Sequence, residues 1–147
     1  MIPPWTDAGV LPAGVHPALW REVIDRYGWN AHRLSLLLGI RATLDALNVA
    51  GSRNLWLDGS FVTNKEIPSD WDGCWSYEHV DLASLDLALR GYTPDQRAIR
   101  KSKFLGDIFV AGATEAGSGL PFVDFFQQTR DGSRKGIVLL NPRRSDD

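Results

Sequence analysis

The sequence predicts an α+β fold, a mixed sheet with helices packed on it, and three observations carry that expectation. Apolar residues recur at helical spacing between Pro17 and Gly51. Strand-length apolar runs follow, at Leu55–Leu57, Ile108–Val110, Phe122–Phe126 and Ile137–Leu140, each bounded by turn residues. The chain of 147 residues fits one domain, spanning residues 1–147, and can bury about two-thirds of its unfolded surface around one core.

The first fifteen residues, with Pro3, Pro4, Pro12, Gly9 and Gly14, read as an extended arm lying on the rest of the protein or mobile beside it. Pro17 suits a first helical turn, and Leu19, Trp20, Val23, Ile24 and Tyr27 keep the helical period until Gly28. Asn30 can cap a second helix whose stripe is Leu34, Leu37, Leu38, Leu44 and Leu47, with Gly51 as its stop. Arg33 and Arg41, two turns apart, read as one solvated face. Leu82, Leu85, Leu87 and Leu89 predict a short helix closed by Gly91, and Thr93-Pro94-Asp95 starts another. That last helix concentrates Arg97, Arg100, Lys101 and Lys103 in an otherwise acidic chain. It is the best local candidate for phosphate or RNA contact, against the plainer reading of a solvated helix face. Gly112 to Gly119 reads as a mobile loop, and Arg130-Asp-Gly-Ser-Arg134 as a hairpin turn.

Chemistry concentrates in Leu55-Trp-Leu-Asp-Gly-Ser-Phe61 and Asp70-Trp-Asp72. Gly59 permits a tight backbone, so that Ser60 and nearby amides can point at an anion. Alternate strand residues share a face, which puts Asp70 and Asp72 together and turns Trp71 inward. Paired carboxylates repel unless solvent or a cation offsets them, and hard ions such as Mg2+ take such oxygens together with substrate phosphates. Asp124 is a lone charge in the apolar run Phe122-Val-Asp-Phe-Phe126, which reads as a buried strand. Lys65 lies between cradle and acids, within reach of a phosphate oxygen or simply on the surface of a polar loop. Gly73, directly after Asp72, predicts a bend or bulge in the strand. Cys74 reads as a small core residue on the face of the two acids. His16, His32 and His79 have no partner at a metal-ligand spacing.

Gly59-Ser60, Asp70-x-Asp72 and the later acid Asp124 resemble the signature of the DNA polymerase beta-like nucleotidyltransferase superfamily, and its minimal nucleotidyltransferases in particular. The wording Leu11-Pro-Ala-Gly-Val-His16, Trp20-Arg-Glu22 and Lys135-Gly-Ile137 also looks like a group of small prokaryotic nucleotidyltransferase-like proteins. The resemblance implies a nucleotidyltransferase-like fold in which Asp70, Asp72 and Asp124 hold two divalent ions, Mg2+ or Mn2+. It implies that Gly59 and Ser60 contact the terminal phosphates of a nucleoside triphosphate. The implied activity moves a nucleoside monophosphate to a hydroxyl on a protein, an RNA or a small molecule. A catalytically inactive, antitoxin-like module that binds a partner protein is the alternative, and an acid-rich metal hydrolase of unrelated fold is a third.

A net charge of -2 supplies no global pull toward nucleic acid. A hydrophobic fraction of 44% with six Trp predicts a folded chain rather than a disordered one. One cysteine excludes an intrachain disulfide. No apolar run is long enough to span a membrane, and Met-Ile-Pro-Pro-Trp lacks a signal-peptide pattern, so the expected location is the cytoplasm, with no membrane partner.

Overall fold

Five strands form one mixed sheet in the computed structural model, which describes residues 1–144. They are β1 (Gly14–Pro17), β2 (Leu55–Asp58), β3 (Trp71–Trp75), β4 (Gly106–Val110) and β5 (Gly136–Leu140), in the order β1-β5-β2-β3-β4. The central β2 runs antiparallel to both β3 and β5, while β1 pairs with β5 and β3 with β4 in parallel. A parallel pair needs a long crossover. The one between β3 and β4 carries α3 (Pro94–Phe104), started by Thr93, whose hydroxyl accepts from the Gln96 amide.

Strand alternation divides the sheet into two faces. Leu55, Leu57, Trp71, Trp75, Ile108 and Val138 face the main core with α1 (Trp20–Tyr27) and α2 (Ala31–Ala50). Cys74, Ile137, Trp56 and Phe109 face a smaller cluster under α4 (Phe122–Phe125). The expected limits of α2 are found: Asn30 accepts from the Arg33 amide, and Gly51 ends the helix at φ 94.

The expected stripe of α2 is corrected at two positions. Leu34 and Leu38 are exposed, whereas Arg33, Leu37, Ile40 and Leu44 share the buried side, as the i, i+4, i+7, i+11 spacing requires. Arg33 is therefore not solvated. Fully buried, it donates to the carbonyls of Phe61 (2.7 Å), Thr63 (2.9 Å) and Lys65 (2.6 Å), and its guanidinium lies 3.7 Å above the Trp29 ring. These bonds tie the connection between β2 and β3 to α2.

The N-terminal arm lies on the domain, with Ile2 and Leu11 buried and the Trp5 indole donating to Val62 O at 2.9 Å. Leu82–Ser84 and Leu87–Leu89 form two 3-10 turns in place of one helix, each started by an aspartate that accepts an amide proton. Gly73 causes no bulge, since the register Asp58↔Asp72, Leu57↔Gly73, Trp56↔Cys74 is unbroken. A Cβ there would lie 2.6 Å from Trp56 O and 2.7 Å from the Trp71 ring, so the glycine makes room for Trp71.

The expected strand at Phe122–Phe126 is a helical turn, α4, instead. Pro121 precedes it, and the amides of Phe125 and Phe126 donate to the carbonyls of Pro121 and Phe122 at 2.9 Å. A short apolar run does not distinguish strand from helix by periodicity. Here Phe122, Phe125 and Phe126, at i, i+3 and i+4, meet the underside of the sheet as one helical face. The turn at 130–134 forms as expected, but it joins α4 to β5 rather than two strands.

Candidate active site

Three aspartates stand in one rung across three adjacent strands. Asp58 on β2 pairs with Asp72 on β3, and Asp72 pairs with Asp107 on β4. Equal register puts all three on the same face, and Asp70, just before β3, adds a fourth carboxyl nearby. Like charges opposite one another destabilise a sheet, and protein cations ring this group. Lys135 Nζ lies 3.3 Å from Asp58 Oδ1, Arg97 3.3 Å from Asp107, and Lys101 3.1 Å from Asp70.

The compensation is incomplete at the centre of the rung. Burial, then repulsion from Asp70, Asp58 and Asp107, pushes the Asp72 carboxyl up to about 7. Burial pushes Asp58 up to about 6 against the pull of Lys135. The residue is 2% exposed, and the Lys135 ammonium at Asp58 Oδ1 offsets part of that burial. An acid group held in this way favours a proton or a further cation.

The Gly59-Ser60 turn lies against this rung. Gly59 has φ 79, and a Cβ on it would sit 2.3 Å from Asp72 Oδ2. Glycine is thus required twice, for its backbone angle and for the approach of the carboxylate. Ser60 opens a 3-10 turn, Ser60–Val62, directly after β2. Gly59, Ser60, Lys65, Asp58, Asp72 and Lys135 all line one cavity of about 860 Å³. A second cavity of about 580 Å³ shares Asp72, Glu115, Phe125 and Phe126 with the first, and Tyr92, Phe109 and Phe122 wall it.

Asp72 and Asp58 line these cavities, whereas Asp70, Asp107 and Asp124 belong to neither wall; Asp70 and Asp107 stand beside Asp72, held by Lys101 and Arg97. Asp124 is exposed on α4, and the acid-bearing strand that follows Asp70-x-Asp72 is β4, with Asp107. Asp58, Asp107 and Lys135 were missed from the sequence. The signal for Asp107 was its place one residue ahead of Ile108-Phe-Val110, in the strand's own alternation.

The basic segment is divided, with Arg100 inside and Arg97, Lys101 and Lys103 on an exposed face, each beside an acid. Arg100 is buried and donates to Ala88 O, Ile108 O and Gly91 O, Lys103 pairs with Asp86, and Arg97 and Lys101 hold the acids. The histidines also have structural partners: His16 donates to Pro12 O, and His32 to Pro68 O. Cys74 is buried in the smaller cluster, and burial raises its thiol far above the usual range.

Among the described residues no group of three or more His, Cys, Asp or Glu side chains is placed to hold a metal ion. The donor chemistry of Asp70 and Asp72 still fits Mg2+, which commonly binds through one or two carboxylates plus substrate phosphates rather than in an all-protein cage. The raised Asp72, which faces three other acids, gives the cleft a demand for positive charge.

Fold and site together define an α+β protein with an acidic cleft at one end of a mixed sheet and a glycine turn against its central carboxylate. The chain belongs to a family of unknown function (DUF6932), whose model matches residues 3–141. Neither a curated protein nor a solved structure matches it. Among the described residues, no helix is long and apolar enough to cross a membrane.

Proposed function

We propose that this chain is a divalent-metal-dependent nucleotidyltransferase that moves a nucleoside monophosphate from a nucleoside triphosphate to a hydroxyl on a protein, an RNA or a small molecule. The observation that carries the reading is the approach of Gly59 to Asp72, which brings a turn suited to phosphate against a rung of carboxylates. The order strand, Gly-Ser, acid pair, strand with a further acid also supports it, with Asp107 in the role first given to Asp124.

In this reading the Gly59 and Ser60 backbone, with Lys65 and Lys135 on the same cavity wall, holds the terminal phosphates. Asp70 and Asp72 would hold the divalent ion, Asp107 beside them. When bound, Mg2+ or Mn2+ supplies charge neutralisation for the triphosphate and polarises the acceptor hydroxyl. Lys135 offsets charge at Asp58 and at the phosphates.

One observation favours a second reading, a nucleotidyltransferase-fold binding module without turnover, acting on a partner protein. Three of the four acids already face a protein cation, which can replace a metal in satisfying them.

Transfer of labelled nucleotide to macromolecules in a cell extract separates the two. Label should appear with Mg2+ and vanish with chelator or in Asp72→Ala. Asp107→Asn should reduce transfer by about ten-fold or more, as expected when support for a metal site is lost, while Asp124→Asn leaves it unchanged. No transfer from any nucleotide, with co-purification of another protein at fixed ratio, selects the binding module.

A further inference from the structure

Five aromatic rings line the cavity beside the acids, and their arrangement is ordered. Phe109 on β4 lies parallel to Phe122 on α4, 4.2 Å between centroids and 9° between planes. Tyr92 continues the ladder at 6.0 Å and 2° from Phe109. Phe125 stands edge-on to Phe122 at 88°. The ladder is braced from behind, since the Val110 amide donates to the Tyr92 hydroxyl and Arg100 lies 4.9 Å over the Tyr92 ring. Rings fixed in this way need no reordering to receive another ring, which lowers the entropy lost on binding.

This cavity adjoins the polar one, with Asp72, Glu115, Phe125 and Phe126 in the walls of both. A single ligand can place its charged end beside Gly59 and Lys135 and its flat end on the rings. Two of the charged side chains on the aromatic wall, Glu115 and Arg97, are committed elsewhere. Both Glu115 carboxylate oxygens accept from its own loop, at Gly117 and Ser118 (3.0 and 2.7 Å), and Arg97 donates to Asp107. They are poorly placed to read hydrogen-bonding edges.

We propose that the Tyr92–Phe109–Phe122 ladder seats the base of the nucleotide and recognises it by stacking alone, so that the site prefers purines to pyrimidines and does not distinguish adenine from guanine. This rests on the nucleotide reading above, and it adds the part of the substrate that the chain selects. Larger ring systems gain more from stacking and area burial, whereas base identity is conveyed by edge contacts.

Calorimetry of the full chain with Mg2+ tests it, using ATP, GTP, UTP, CTP and inorganic tripolyphosphate as probes. Stacking predicts that ATP and GTP bind about 5- to 100-fold more tightly than tripolyphosphate, with each other's affinity within a few-fold and ahead of UTP and CTP. Phe122→Leu keeps apolar volume but removes the π face. It should bring ATP toward tripolyphosphate while leaving tripolyphosphate unchanged, which also serves as the folding control, and Tyr92→Leu repeats the test from the other end of the ladder, outside the phosphate cavity. Equal affinity for ATP and tripolyphosphate would overturn the stacking site and leave the phosphate cradle standing. So would an equal loss of both ligands in both variants. A large preference between ATP and GTP would overturn recognition without edges. Binding of neither ATP nor tripolyphosphate would overturn the nucleotide reading itself, and this inference with it.

Discussion

Replacing Asp72 with asparagine should stabilise the protein above neutral pH and have little effect in acid. The carboxyl rises from its ordinary 3.8 to about 7 in the folded state, chiefly through burial and then through repulsion by three neighbouring acids. Between those limits the native state holds a proton that the unfolded chain has released, so stability falls as pH rises through the window. At 1.36 kcal/mol per pH unit, the ionised carboxylate costs the fold at most about 4 kcal/mol above pH 7. Asp72→Asn keeps the shape and removes the charge, and the new amide can donate to Asp58 or Asp107. The expected gain at pH 8 is about 2 to 4 kcal/mol, shrinking to near zero at pH 4. Urea unfolding across pH 4 to 8 measures it, and thermal unfolding should show a rise of roughly 5–15 °C at pH 8 for a chain of this size. A variant no more stable than wild type at pH 8, or a difference that stays constant with pH, would refute the repulsive rung. Mg2+ adds a check on the cation demand, because it should stabilise wild type at pH 8 and narrow the gap to the variant.

Gly59→Ala forces a side chain to within 2.3 Å of Asp72 Oδ2 at a φ of 79; it should destabilise the fold by about 1 to 3 kcal/mol and abolish Mg2+-dependent triphosphate binding, read by urea unfolding and calorimetry. Arg33→Met keeps buried volume but strips hydrogen bonds from the carbonyls of Phe61, Thr63 and Lys65. A loss of about 3 kcal/mol or more is expected, and hydrogen exchange should rise in residues 61–65, ahead of the rest of the sheet.

Much of the scaffold was legible because local chemistry sets it. The Asn30 cap, the Gly51 stop and the Thr93-Pro94 start each act over a few residues, and each falls where expected. Alternation likewise placed Trp71 inside while Asp72 faced the cleft. Three failures had a common cause. Phe122–Phe126 became a helical turn because its three phenylalanines fit the underside of the sheet as one helical face. Arg33 is buried because carbonyls more than twenty-five residues along the chain accept its protons. Arg100 is buried because the carbonyls of Ala88, Ile108 and Gly91 accept its protons, while Arg97, Lys101 and Lys103 stay on an exposed face beside acids.

The sequence by itself determined a mixed α+β chain, the limits of α2 and the start of α3, and a Gly59-Ser60 turn followed by the pair Asp70 and Asp72. Pro17, expected in a first helical turn, instead ends β1, and α1 starts at Trp20. Tertiary structure alone decided which further acids join the Asp70 and Asp72 pair. Strand register is a long-range property: pairing β2 with β3 and β3 with β4 brought Asp58, Asp72 and Asp107 into one rung, while the helical turn at α4 left Asp124 exposed on another element. Burial raises Asp72 first, and of the three acids that add to it Asp70 is a near neighbour in sequence, while Asp58 and Asp107 are brought within Coulomb range only by folding.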